Sequence, residues 1–91
     1  MAWTISFDKP AARELDKIDP AVSKRILKFL FERVSVLENP RSLGQALRGP
    51  VLGKYWKYRV GDYRLICKIE DETLHILVVK LGNRREIYTR F

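Results

Sequence analysis

Apolar and polar residues alternate over residues 3–7, with Ile5 and Phe7 on one side and Thr4 and Ser6 on the other, which predicts a short strand. Asp8-Lys9-Pro10 then gives a helix-start signal, a capping side chain with proline near the first helical position. That helix is expected to run to about Lys17. Asp19-Pro20 repeats the signal. From there Val22, Ile26, Phe29, Leu30, Val34 and Leu37 recur at spacings of three and four, the period of a helix with one buried face. Lys24, Arg25, Lys28, Glu32 and Arg33 fall on its other face. The helix is expected to end near Leu37, because Pro40 disfavours helical backbone in the residue before it. Residues 41–53, with Gly44, Gly49, Pro50 and Gly53, read as a linker that Leu43 and Leu47 would pin to the core.

Three further strands follow. Residues 54–60 alternate strictly, and Gly61-Asp62 is a two-residue turn with glycine first, suited to type II′. Residues 63–69 form the next strand, residues 70–72 turn, and residues 73–81 form the last. Gly82-Asn83 ends the sheet and leaves a short basic tail over residues 84–91. The predicted fold class is α+β: an N-terminal strand, a helical hairpin, an antiparallel three-stranded meander and a short C-terminal tail, with the helices on one sheet face.

A chain of 91 residues is expected to form a single domain over residues 1–91, since smaller pieces bury too little core. Its net charge of +7 points to a polyanion or an acidic protein as partner. One cysteine, Cys67, excludes an internal disulfide and a cysteine-based zinc site, and one histidine, His75, excludes a His-pair nuclease. Cys67 is placed in the core, Trp3 and Trp56 as packing anchors, and His75 as a strand residue with no special role. No signal peptide is visible, and the longest uninterrupted apolar run, residues 76–79, is far too short to span a membrane. The expected location is therefore cytoplasmic, with no membrane partner.

The turn at Gly61-Asp62 sets a register. Val60 faces Tyr63, Arg59 faces Arg64, Lys57 faces Ile66 and Tyr55 faces Lys68. Alternate residues share a face, so Tyr55, Lys57, Arg59, Arg64 and Lys68 lie on one side. Trp56, Tyr58, Val60, Tyr63, Leu65 and Cys67 lie on the other, toward the helices. Arginines directly opposite each other destabilise a sheet by a few tenths to about 1 kcal/mol. An anion over the pair would offset that cost. A solvated face that merely keeps the chain soluble is the plainer alternative. Arg84 and Tyr88, four apart in the tail, share a face if the tail makes a helical turn.

If the anion is RNA, attack by a 2′-hydroxyl needs a base, an acid for the leaving 5′-oxygen, and cations around the phosphorane. With no His pair, and with Glu70, Asp71 and Glu72 reading as a turn rather than a metal-binding cluster, the remaining groups are Lys, Arg and Tyr. Neighbouring arginines favour phenolate and so make a tyrosine a better base. No metal and no cofactor is expected.

Ala46-Leu47-Arg48-Gly49, the stretch from Tyr55 through Trp56-Lys57-Tyr58-Arg59-Val60-Gly61-Asp62-Tyr63-Arg64 to Ile66, and the ending Gly82-Asn83-Arg84-Arg85-Glu86-Ile87-Tyr88 resemble the RelE toxins of the RelE/ParE superfamily. The likeness spans essentially the whole chain. It implies a toxin of a type II toxin–antitoxin system that cleaves mRNA in the ribosomal A site without metal. It also implies an acidic, RelB-like antitoxin, and operator DNA bound through the toxin–antitoxin complex. By resemblance, Arg64 stabilises the transition-state phosphate and Lys57 is a catalytic lysine. Arg84 matches the tail arginine held to be the general acid, and Tyr88 the tail tyrosine held to be base or stacking residue. Arg48 and Arg59 match supporting phosphate contacts, with Tyr55 and Lys68 beside them on the same face. One departure is that Tyr55 stands where well-studied members carry a second lysine. A ParE-type toxin, which poisons DNA gyrase and is no nuclease, shares the fold, as would an inactive antitoxin-binding remnant.

Overall fold

The structure, a computed structural model, describes residues 2–87. The chain runs through β1 (Thr4–Phe7), α1 (Lys9–Lys17), α2 (Pro20–Lys28), a π-helical segment (Phe29–Val34), a short 3-10 turn (Pro40–Leu43), β2 (Gln45–Ala46), β3 (Trp56–Val60), β4 (Tyr63–Glu70) and β5 (His75–Asn83). Both helix starts form as the sequence predicts. The Asp8 carboxylate accepts from the Lys9 N–H and the Asp19 carboxylate from the Ala21 N–H, each at 2.8 Å, with a proline in the first turn. No helix of the described residues is long and apolar enough to cross a membrane.

The second helix departs from expectation. It is α-helical only to Lys28 and then widens, with the Ser35 N–H donating to the Leu30 carbonyl five residues back. Ile26, Leu30 and Val34, all fully buried, explain the change. Four residues advance an α-helix about 40° past a full turn, so this spacing drifts off the core face unless the helix loosens. The widened turn keeps all three on the sheet.

The five strands form one sheet in the order β1-β5-β4-β3-β2. The meander β3-β4-β5 is antiparallel as predicted, and the α+β class stands. Two features lie outside the sequence reading. β1 joins the sheet parallel to β5, with Thr4 opposite His75 and Phe7 opposite Val78. The expected linker contains the 3-10 turn and a two-residue edge strand, β2, paired antiparallel to β3. The last strand is also shifted, to His75–Asn83. Within it Val78 faces Cys67 and Lys80 faces Ile66, so Val79 is an extra residue, a β-bulge.

The core lies between the helices and one sheet face. Ala11, Ile26, Leu30 and Val34 meet Tyr58, Leu65, Cys67, Val78 and Leu81. Each fully buried large apolar side chain contributes roughly 1.5–3 kcal/mol. Trp3 is a packing anchor, as expected, and its indole N–H donates to the Leu37 carbonyl at 3.1 Å. Leu43 does not pin the linker, because it is 39% exposed. The Tyr58 hydroxyl does so instead, donating to the Pro40 carbonyl at 2.7 Å. Beside it Arg41 lies over the Trp56 ring at 5.6 Å and makes a two-pronged bond to Asp71. That hydrogen bond holds the Asp71 carboxyl below the usual range.

His75 is more than a plain strand residue. Its Nε2 lies 2.5 Å from Ser6 Oγ on β1, and its Nδ1 lies 2.7 Å from Glu70 Oε1 on β4. A carboxylate only accepts, so Nδ1 donates to Glu70, and Nε2 is the ring's contact with the Ser6 hydroxyl. The chain of bonds fastens the parallel edge strand across β5.

Burial pushes the Cys67 thiol and the Tyr58 phenol up from their ordinary values. In the unfolded chain these groups ionise near about 8.5 and about 10. The unfolded state then loses protons that the folded state keeps. This contribution to stability is complete below about pH 8 and falls as pH rises further. Urea midpoints should therefore fall as pH rises from about pH 8 and keep falling past about pH 10, and Cys67→Val should remove the part of the fall that begins first.

Candidate functional site

The sheet face turned away from the helices carries the basic side chains. Its register is the one the turn dictates: Lys57 opposite Ile66, Arg59 opposite Arg64, Val60 opposite Tyr63. Gly61 has φ +58, which a glycine supplies without strain, and Asp62 is not in the positive-φ region, as a type II′ turn requires. Tyr55 sits one residue before β3, so its pairing with Lys68 is not part of the ladder.

Lys57, Arg59 and Arg64 come together. With Leu43 and Gln45 they line a shallow cleft of 290 Å³. The Arg64 guanidinium is folded back onto the turn, its Nη1 donating to the Gly61 carbonyl at 3.0 Å and to the Tyr63 carbonyl at 3.1 Å. These bonds hold the group in place before any anion arrives, which lowers the ordering cost of binding one. Arg59 is exposed on the neighbouring strand and has no ion pair among the described residues. Ile66, fully buried, floors this face.

The tail is tied to the same hairpin. The Arg84 N–H donates to the Asp62 carbonyl at 2.9 Å, and the Glu86 and Ile87 N–H groups donate to the Asn83 carbonyl. Ile87 is buried against Gly82, where an added Cβ would meet its Cδ1 at 3.4 Å. The Arg84 backbone is thereby fixed at the hairpin tip with its side chain exposed. Tyr88 lies outside the described residues.

The other expected residues stand apart from this cleft. Lys68 shares the face but lies 3.9 Å from Glu70 Oε2, which partly offsets its charge. Arg48 is exposed beyond the end of β2 and does not line the cleft. Tyr55 lines a second, larger cavity of 890 Å³ with Lys80, Gly82, Glu86, Ile87 and residues of α1. The Lys54 ammonium sits over the Tyr55 ring at 5.7 Å, so a lysine charge remains beside the position where Tyr55 replaces one. Among the described residues no three His, Cys, Asp or Glu side chains gather where a metal ion could be held.

Two comparisons give the lineage. The family profile described as "ParE toxin of type II toxin-antitoxin system, parDE" matches residues 5–88. Toxin RelG of Mycobacterium tuberculosis is 31% identical over 90 residues, 99% of this chain and 100% of its own. The mRNA interferase toxin RelE of Escherichia coli is 34% identical over 91 residues, covering 98% of this chain and 93% of its own. The chain belongs to the RelE/ParE toxins of type II toxin–antitoxin systems. Solved structures agree. The toxin–antitoxin complex RelBE2 of M. tuberculosis matches with a TM-score of 0.82 and 28% identity, covering 92% of this chain and 93% of that one. The isolated E. coli RelE toxin matches with a TM-score of 0.69 and 25% identity, over 90% and 84%.

In this RelE-family toxin, sequence reasoning missed three residues near the cationic face. Lys80 follows the bulge and stands beside Ile66 on that face, with its Nζ buried. Only the bulge puts it there, and a bulge leaves no mark in an apolar run such as residues 76–79. Leu43 and Gln45 belong to the 3-10 turn and to a strand of two residues, too short to show a period.

Proposed function

We propose that this toxin is a ribosome-dependent mRNA endonuclease that cuts in the A site and so stops translation. The observation that carries the reading is the convergence of Lys57, Arg59 and Arg64 in one cleft, with the Arg84 backbone bonded to the hairpin tip beside it. Support comes from the name of the E. coli relative, mRNA interferase. In the proposed reaction the 2′-hydroxyl loses its proton, with Tyr88 as base, and its oxygen attacks the adjacent phosphorus. The bond to the 5′-oxygen breaks, and that oxygen takes a proton from Arg84. The products are a 2′,3′-cyclic phosphate and a free 5′-hydroxyl. Arg64, with Lys57 and Arg59, stabilises the phosphorane charge, the largest contribution available to a site of this composition.

The toxin is read as cytoplasmic. An acidic, RelB-like antitoxin covers the basic face, and operator DNA is reached through that complex. A toxin–antitoxin complex is known for the similar toxin from M. tuberculosis, and a complex with a RelB peptide for that from E. coli. The description of the matching family as ParE gives gyrase poisoning its footing as the second reading.

The test uses purified toxin with ribosomes programmed by a defined mRNA, beside the same mRNA free, with cuts mapped by primer extension. Cuts confined to the A-site codon, dependent on the ribosome and weakened at least 10²-fold in Arg84→Ala and Tyr88→Phe, are the expected result. A folded protein that arrests growth and cuts neither sample moves the assignment to gyrase.

A further inference from the structure

The cleft is built asymmetrically. Lys57, Arg59 and Arg64 are cations, while its remaining two side chains, Leu43 and Gln45, are neutral and lie together on the edge strand side. Gln45 pairs directly with Lys57, so both project from the same face. Its amide makes no hydrogen bond to another described residue, leaving a donor and an acceptor side by side. Leu43 is 39% exposed, on a backbone that is tied down. The 3-10 turn that carries it is fixed by the Tyr58 hydroxyl on the Pro40 carbonyl and by the Gly44 N–H on the Arg41 carbonyl. Gly44 itself comes so close to the Tyr58 ring that an added Cβ would stand 3.3 Å from it. A large apolar side chain carried into water on a fixed turn beside three cations calls for a ligand that is apolar on one side and anionic on the other.

We propose that Leu43 and Gln45 form a base-binding subsite, which holds the base of the nucleotide whose phosphate lies on Arg64. The inference rests on the reading that this cleft takes RNA. A volume of 290 Å³ lies at the small end of ligand sites, room for one nucleotide unit rather than a longer stretch. Single-stranded RNA is read through splayed bases, stacked on a flat or apolar surface and bonded at their edges. Leu43 supplies the apolar surface. The Gln45 amide matches the N6 donor and N7 acceptor of adenine in two parallel bonds. The subsite therefore prefers adenine, and it places sequence preference on the toxin itself.

The test is a titration of isotope-labelled toxin, followed by NMR, with AMP, CMP and ribose 5-phosphate. Wild type should bind AMP roughly 5- to 10-fold more tightly than ribose 5-phosphate, with CMP between them. Gln45→Ala should bring AMP down to the level of CMP, Leu43→Ala should weaken AMP and CMP alike, and neither should change ribose 5-phosphate. Arg64→Ala should weaken all three. Equal affinity of wild type for AMP and ribose 5-phosphate, or unchanged AMP binding in both edge variants, overturns the subsite while leaving the phosphate cleft in place. If ribose 5-phosphate itself does not perturb Arg59 and Arg64, the cleft reading falls and the subsite with it. No cleavage is needed for the readout, so a failure of the nuclease reading shows separately in the ribosome assay.

Discussion

Arg64→Ala is expected to lower the rate of A-site cleavage by about 10²- to 10³-fold in a protein that remains folded. The guanidinium is anchored to the Gly61 and Tyr63 carbonyls beside the cleft that Arg64 lines, so its contribution is already organised when the phosphorane forms. Its loss removes roughly 3 kcal/mol of transition-state stabilisation. Stability should stay level or rise slightly, since the change also relieves the repulsion between Arg59 and Arg64, a few tenths to about 1 kcal/mol. Arg64→Lys should recover little, because an ammonium cannot bond two carbonyls and a phosphate oxygen in one plane. Single-turnover rates on programmed ribosomes, with urea melts of the same samples, separate the two effects. Cleavage within a few fold of wild type would remove Arg64 from the reaction. A large fall in the urea midpoint would instead make it a structural residue.

The largest loss of stability is expected at Tyr58. Tyr58→Ala should cost about 3–5 kcal/mol, the range for emptying an aromatic site in a packed core. Set against a total of about 5–15 kcal/mol for a small domain, that leaves the chain marginal. The ring is fully buried and meets Phe29 edge-on at 6.1 Å between centroids. Tyr58→Phe keeps the ring and removes only the bond to the Pro40 carbonyl. It should cost about 1–2 kcal/mol, as for a buried group left without its partner. The phenylalanine variant also frees the segment bearing Leu43 and Gln45, so local hydrogen exchange at Gly44 should speed up more than exchange in β4. Equal midpoints for wild type and Tyr58→Phe would show that the Pro40 tie carries no stability.

The parts of this toxin legible in its sequence are those where one local rule acts alone. Gly61-Asp62 set the hairpin, and the hairpin alone put Lys57, Arg59 and Arg64 on one face. The capping aspartates and prolines placed both helix starts. What stayed hidden depends on neighbours distant along the chain. Alternation in residues 3–7 shows a strand but not that its partner is β5. Leu43 looks like a core residue by type, yet its 3-10 turn directs it into the cleft while Tyr58 holds the turn. The like faces of Lys57 and Lys68 hide the difference made by Glu70. Parity groups Tyr55 with the cleft, but β3 begins one residue later and Tyr55 lines the neighbouring cavity.

The bulge at Val79 makes the pairing of the last strand, rather than its order of residues alone, decide which side chains reach the cationic face. Counted by strict alternation from Val78, Lys80 would fall in the apolar layer and Leu81 on the cationic face; the extra residue reverses both, setting Lys80 opposite Ile66 and Leu81 opposite Leu65. Loss of Val79 would straighten the strand and leave those two pairings as they are. A bulge displaced past Lys80 would instead send the lysine into the core. A lineage of this toxin can do without the extra residue, but it cannot carry it further along the strand.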